Sequence, residues 1–280
     1  MNAHQPLILT AAINGAETTR EQHPLLPITP EEVGAEALRC QEEGASVIHL
    51  HGRTPEGLPS QSIESFRSYF EAIRATGPAI VQFSTGGAVG MALEERIEAL
   101  CLMPEMASLT TGSCNFGDGV FANPLPDVRE IARRLRQFAV VPEIEVFDLS
   151  MLEAAESLVG EGLLRAPLHI NFVLGVPGAL RATEDNVRLL ASRVPEGWTW
   201  GVTGVGRHEM PMAALAIAWG GHVRVGLEDN LYAAKGELAQ GSWHLVQIVA
   251  EMARNIGRPV ATVPEARSLL RCPEVRYPTG

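Results

Sequence analysis

The chain has 280 residues, 46% of them hydrophobic, which is enough for one large core or two modest ones. Its net charge of −11 argues against a nucleic-acid surface or an anionic membrane as partner, while leaving room for a local basic patch around one anionic ligand. No apolar stretch reaches membrane-spanning length, and the N-terminus lacks a basic region followed by an apolar segment and a cleavage site, so a cytoplasmic location is expected.

The first β-branched run, 7–13, reads as a strand and is followed by Glu17. Thr29-Pro30-Glu31-Glu32 then opens a helix: a threonine cap, a proline at the first position and a glutamate three residues on, with Val33, Ala37 and Leu38 as the apolar face. The second strand, 46–51, ends in His49-Leu50-His51-Gly52. Two imidazoles two residues apart on a strand project to the same side, which makes them one half of a metal site. After a helix at 62–75, the strand 79–84 ends in Ser84-Thr85-Gly86-Gly87, a glycine loop whose backbone donors and hydroxyls suit a carboxylate or phosphate.

A helix at 93–102 leads to the strand 106–109, which carries Ser108, and a helix at 126–138 leads to the strand 140–147. Glu143 and Glu145 share one face of that strand, and two inward carboxylates are costly to bury without partners, so a functional role for at least one is expected. The alternation continues with a helix at 150–161, a strand at 168–174, a helix at 183–193 and a strand at 199–205. Gly204-Val205-Gly206 resembles the start of a dinucleotide fingerprint, but Glu209 stands where its third glycine belongs and rules that reading out. The last strand, 222–227, lies between helices at 211–220 and 242–256, and a final short helix is expected at 264–270.

That last strand runs into Glu228-Asp229. Taken alone, this pair reads as an exposed loop with a helix cap. Beside two histidines, Glu228 becomes the third ligand, and two histidines plus a carboxylate with an open position is a familiar catalytic zinc set. Of the remaining histidines, His169, His222 and His244 read as structural or surface residues, whereas His208 is a candidate ligand contact. The four cysteines, Cys40, Cys101, Cys114 and Cys272, lack CxxC spacing and are expected as reduced, mostly packed thiols. Lys235 is the only lysine, so Schiff-base chemistry would have to use it.

Eight strands alternating with eight helices fit a (β/α)8 TIM barrel with a short C-terminal helical extension, read as a single domain over residues 1–280. The alternative is an open doubly wound sheet, with its ligand at a topological switch point. Polar residues at the ends of strands 1, 2, 3, 5 and 8 favour the ring, where those ends converge on one face. In such a ring the first strand alone separates the second from the eighth, about 10 Å, which inward side chains can bridge to a shared metal.

Several ordered motifs carry a resemblance over essentially the whole chain. They are Leu9-Thr10-Ala11-Ala12-Ile13-Asn14-Gly15-Ala16-Glu17, His49-Leu50-His51, Ser84-Thr85-Gly86-Gly87, Pro104-Glu105-Met106-Ala107-Ser108, Asn115-Phe116-Gly117-Asp118, Pro142-Glu143-Ile144-Glu145, Val173-Leu174-Gly175-Val176-Pro177-Gly178 and Gly226-Leu227-Glu228-Asp229-Asn230. Together they resemble the β-keto acid cleavage enzymes, the family typified by the 3-keto-5-aminohexanoate cleavage enzyme of lysine fermentation. The resemblance implies a zinc-dependent (β/α)8 barrel, a homotetramer, that reacts a β-keto acid with acetyl-CoA to give acetoacetate and a new acyl-CoA. It implies His49, His51 and Glu228 as zinc ligands and Arg224 with Asp229 as the deprotonating dyad. Glu145 matches a further active-site position, Ser84, Gly87 and Ser108 match substrate-binding positions, and Glu17 matches the carboxylate near the substrate's amino end. One departure is visible: the type member has threonine where Ser108 stands, which keeps the hydroxyl and loses a methyl. Two other readings stay open, a metal-dependent aldolase that uses no CoA and a zinc-stabilised scaffold without catalysis.

Overall fold

The computed structural model describes residues 5–273. Its centre is a closed barrel of eight parallel strands: β1 (Leu9–Ala12), β2 (Val47–Leu50), β3 (Ile80–Phe83), β4 (Met106–Thr110), β7 (Val141–Val146), β8 (His169–Leu174), β9 (Thr199–Gly204) and β10 (His222–Val225). β1 lies between β2 and β10 and closes the ring, as a (β/α)8 barrel requires. The ring around the strands is made of α1 (Pro30–Glu43), α2 (Ile63–Thr76), α3 (Leu93–Glu98), α4 (Leu125–Gln137), α5 (Leu149–Gly160), α6 (Glu184–Arg193), α7 (Glu209–Trp219) and α8 (Ser242–Asn255). The expected cap of α1 forms: Thr29 Oγ1 accepts from Glu32 N at 3.3 Å, and the Glu32 carboxylate accepts from Thr29 N at 2.9 Å.

Because the barrel is covered by helices, outward-facing strand residues such as Leu9, Ile48, Val81, Leu109 and Ile144 are apolar and join one large core. The interior is layered differently. At the N-terminal end Ile8, Val47, Ile80 and Met106 form a separate apolar plug, sealed by Ala266 and Leu270 of the last helix, α9 (Val263–Leu270). Above that plug the inward positions turn polar, and this change of character carries the chemistry.

Two antiparallel hairpins were not expected from the sequence. One pairs β5 (Cys114–Phe116) with β6 (Gly119–Phe121), the other β11 (Tyr232–Ala234) with β12 (Glu237–Leu238), and both follow the C-terminal ends of barrel strands. The expected helix at 93–102 is shorter than its apolar pattern, since α3 tightens into a 3-10 turn over Ala99–Leu102. Among the described residues no helix is long and apolar enough to cross a membrane.

Candidate active site

His49 and Glu228 approach each other across the C-terminal mouth of the barrel, with His49 Nε2 at 3.5 Å from Glu228 Oε2 and His51 Nε2 at 3.4 Å from Glu228 Oε1. Each of the three offers one ligand atom within 4.8 Å of the others. The donor set fits a divalent cation on local evidence. His49 Nδ1 lies 2.7 Å from Gln82 Oε1 and donates to it, so Nε2 carries the lone pair. That lone pair faces a carboxylate, and both His49 Nε2 and Glu228 Oε2 are buried without a hydrogen-bond partner. With His49 neutral, two acceptors held this close suit a divalent cation between them. Burial would raise the Glu228 carboxyl, but Arg224, His51 and His49 override it and hold it well below the usual range.

Backbone constraints place these groups. Asn14 Nδ2 donates to His51 O and His51 N donates to Asn14 Oδ1, both at 2.9 Å, which locks the end of β2 against the loop after β1. The buried Arg53 guanidinium donates to the carbonyls of Asn14, Gly15 and Thr18 and pins the same loop. Gly15, at φ +56°, packs directly on Glu228, where a Cβ would meet Glu228 Cγ at 2.7 Å. Gly226, at φ +151°, passes Ala12 O so closely that a Cβ would sit 2.1 Å from it. The loop from Gly226 to Asn230 is held by Glu209, whose carboxylate accepts from Gly226 N at 3.0 Å and from Asn230 Nδ2 at 2.9 Å. The residue that breaks the dinucleotide spacing therefore supports the acidic loop.

Arg224, on β10, is the electrostatic centre. Its guanidinium donates to Glu145 Oε1 at 3.1 Å, to Asp229 at 2.9 and 3.0 Å, and to Glu228 Oε1. Burial works against its charge, but the three carboxylates hold its pKa well above the ordinary value. Asp229 is pushed up to about 6, mainly by burial and further by the Glu228 charge, against the pull of Arg224. The other Glu145 oxygen accepts from Thr110 Oγ1 at 2.9 Å.

A cavity of about 220 Å³ opens above this cluster, lined by Glu17, His51, Ser84, Gly86, Gly87, Glu145, Arg224, Glu228 and Asp229 on its polar side. Phe116, Phe121, Phe147, Val173 and Val176 form its apolar side, so the hairpin of β5 and β6 is one wall of the site. The cavity thus brings together most of the residues singled out from the sequence. Ser108 stands apart: 1% exposed, it lies behind the glycine loop, where its Oγ accepts from Thr85 N at 3.2 Å. His49 lies beneath the cavity floor and is fully buried. His208 lines neither this cavity nor the cleft beside it. His169 and His222 pair deep in the barrel, ring centroids 5.6 Å apart.

Sequence reasoning missed Asn14, Arg53, Gln82 and Thr110. Asn14 and Gln82 are lone polar residues in or beside apolar strands, while Arg53 and Thr110 stand among other polar residues at strand ends. Gln82 carried the clearest available signal, since it shares the parity of Ser84 in an otherwise apolar run.

Comparison with known proteins finds named relatives over nearly the whole chain. The chain is 47% identical to the 3-keto-5-aminohexanoate cleavage enzyme of Fusobacterium nucleatum over 268 residues, covering 95% of this chain and 98% of that one. The same-named enzyme of Acetoanaerobium sticklandii matches with equal identity and coverage. The 3-oxoadipate:acetyl-CoA acetyltransferase of Cupriavidus necator is 40% identical, covering 97% of this chain and 96% of that one. Among solved structures, the ternary complex of ObcA with a C4-CoA adduct and oxalate superposes with a TM-score of 0.75 at 21% identity, over 89% of this chain and 68% of that one, a likeness of fold. The model of the beta-keto acid cleavage enzyme family matches residues 6–271, and the chain belongs to that family.

Proposed function

We propose that this enzyme condenses a β-keto acid with acetyl-CoA and releases acetoacetate and a new acyl-CoA, using zinc at His49, His51 and Glu228. The observation that carries this reading is the convergence, on one cavity, of an open His-His-carboxylate set, the Arg224–Asp229 pair and the Ser84–Gly87 loop. Zinc on those donors supplies Lewis acidity to a ketone oxygen, which makes the CH2 between ketone and carboxylate easier to deprotonate.

The protein's own groups do the rest. Asp229 takes the proton from that CH2, and its burial favours the protonated form, which makes its carboxylate a better base than an exposed aspartate. Arg224 fixes the Asp229 carboxylate with two hydrogen bonds and keeps positive charge beside the reacting centre. The Ser84 hydroxyl and the backbone at Gly87 line the wall that receives the substrate carboxylate. Ser108 holds that loop in place from behind through Thr85. Glu145 steadies Arg224. Glu17 puts a carboxylate at the outer end of the cavity, which favours an amino-substituted β-keto acid.

The test is to incubate zinc-loaded protein with acetyl-CoA and a panel of β-keto acids, and to follow acetoacetate and acyl-CoA species by mass spectrometry. Product from one keto acid is expected, and it identifies the substrate class. Cleavage that proceeds without any thioester would replace this reading with a CoA-independent aldolase. The reading also includes a homotetramer, checked by light scattering on the purified protein.

A further inference from the structure

A second opening reaches the same two carboxylates from another side. It is a cleft of about 520 Å³ that shares Glu17, Glu228 and Asp229 with the first cavity and is lined beyond them by Arg207, Asn230 and Tyr232. Resting on the reaction proposed above, we propose that this cleft is the coenzyme A site: the acetyl thioester enters along the β11–β12 hairpin, and the phosphates rest on Arg207 and Lys235.

Size separates the two openings. The first cavity, at 220 Å³, is below the roughly 300–1,000 Å³ usual for a drug-sized ligand, so it holds a small keto acid and not a coenzyme. The larger cleft is within that range and offers both apolar surface, at Leu231 and Tyr232, and an amide group, at Gln22. That mixture suits a long arm containing two amides. Tyr232 is 47% exposed and gives the arm a flat surface to lie on.

Charge sets the direction. Glu17 puts a negative charge on the edge shared by the two openings, so phosphates are held away from that edge and a neutral thioester is not. Arg207 is exposed, and neither it nor Lys235, in the turn between β11 and β12, forms an ion pair with a carboxylate among the described residues. Arg207 lines the cleft, and Lys235 follows Tyr232, another lining residue, by three positions along the hairpin, so in a chain with 33 acidic and 22 basic residues both are available for a polyphosphate.

The walls are prebuilt. Gly206 N donates to Asp229 O at 2.8 Å, so the turn bearing Arg207 is tied to the catalytic loop. Asn230 is buried and donates to Tyr232 O at 2.7 Å while accepting from Tyr232 N at 3.1 Å, which anchors the hairpin to that loop. A thioester entering here and a keto acid in the first cavity would meet at Glu228 and Asp229.

The experiment uses the zinc-loaded full chain and the double variant Arg207→Glu, Lys235→Glu. Calorimetric titration with coenzyme A itself is expected to give a Kd at least tenfold weaker in the variant. The KM for acetyl-CoA should rise by a similar factor relative to that for S-acetyl-N-acetylcysteamine, an acetyl thioester without phosphates. Unchanged coenzyme A binding, equal effects on both thioesters, or no coenzyme A binding to the wild type would each overturn the site. Failure of the reaction is read separately. Charge-dependent coenzyme A binding without turnover of any keto acid supports the cleft against the reaction, and turnover indifferent to both substitutions does the reverse.

Discussion

His49 Nδ1 is held at 2.7 Å by Gln82 Oε1, and the two residues are register partners on neighbouring strands. Gln82 thereby selects the imidazole tautomer whose Nε2 faces Glu228. Outer partners of this kind raise a ligand's basicity and fix its ring, and losing one typically costs about 10–100-fold in metal affinity. Gln82→Leu should weaken zinc by that factor in a chelator competition, with Gln82→Glu retaining most of the affinity because the acceptor oxygen remains. Equal zinc affinity in Gln82→Leu would mean that the tautomer is set elsewhere.

Arg224 pairs with three carboxylates at once, one buried and two nearly so, and its removal is therefore expected to affect folding as well as activity. Arg224→Met leaves Glu145, Glu228 and Asp229 facing one another in a buried site. Breaking a buried pair in this way costs about 3–5 kcal/mol. Urea unfolding of the metal-free variant should show a loss of that order, and zinc should restore part of it by supplying positive charge to Glu228. A metal-free stability equal to wild type would show that the carboxylates take up protons instead.

The barrel and the grouping of His49, His51 and Glu228 were legible because their signals are local. Repeated β-branched runs ending in polar residues mark strands whose tips share a face, and His49-Leu50-His51 puts two imidazoles on one side by parity alone. Gln82, Thr110 and Asn14 were not legible, because their roles depend on which strands are neighbours and in what register. Thr110 matters only because β4 pairs with β7 and puts it opposite Glu145. Ser108 shows the same limit, since parity places it inside the barrel but cannot reveal that the loop after β3 covers it. The hairpin of β5 and β6 was obscured by its length: three-residue strands around Gly117-Asp118 carry too little alternation to stand out from a loop.

Acid should act through the buried histidines under the site. His169 donates to or accepts from Thr199 Oγ1 at 2.8 Å, and burial depresses its pKa to about 4. The unfolded chain binds a proton near 6.5 and the folded one only near 4, so this histidine costs nothing above pH 6.5 and destabilises progressively between those values. Wild type should therefore lose about 2–3 kcal/mol relative to His169→Asn between pH 7 and pH 4.5. Glu143, at 3.6 Å from His169, is present in both proteins. A difference that stays constant over that range in urea titrations would place His169 in a solvated, chargeable setting.

On the proposed reaction, substrate choice is expected to turn on Glu17. It is exposed at the outer end of the cavity, apart from the three carboxylates that Arg224 binds, where a cationic tail would reach it. One of its oxygens accepts from Val89 N at 3.3 Å, which also ties it to the loop after β3. Two roles are thus combined in one side chain, and they predict different kinetics. If the carboxylate pairs with a substrate ammonium, Glu17→Ala raises the KM for an amino-substituted β-keto acid about two- to fivefold, the size expected of a solvent-accessible ion pair, and leaves a neutral-tailed analogue nearly unchanged. Glu17→Gln separates the roles further, because it keeps an acceptor for Val89 N while removing the charge. It should reproduce the selective KM effect of alanine. Equal losses on charged and neutral substrates with alanine, rescued by glutamine, would assign Glu17 to holding the loop and leave the choice of substrate to the apolar wall of Phe116, Phe121 and Phe147.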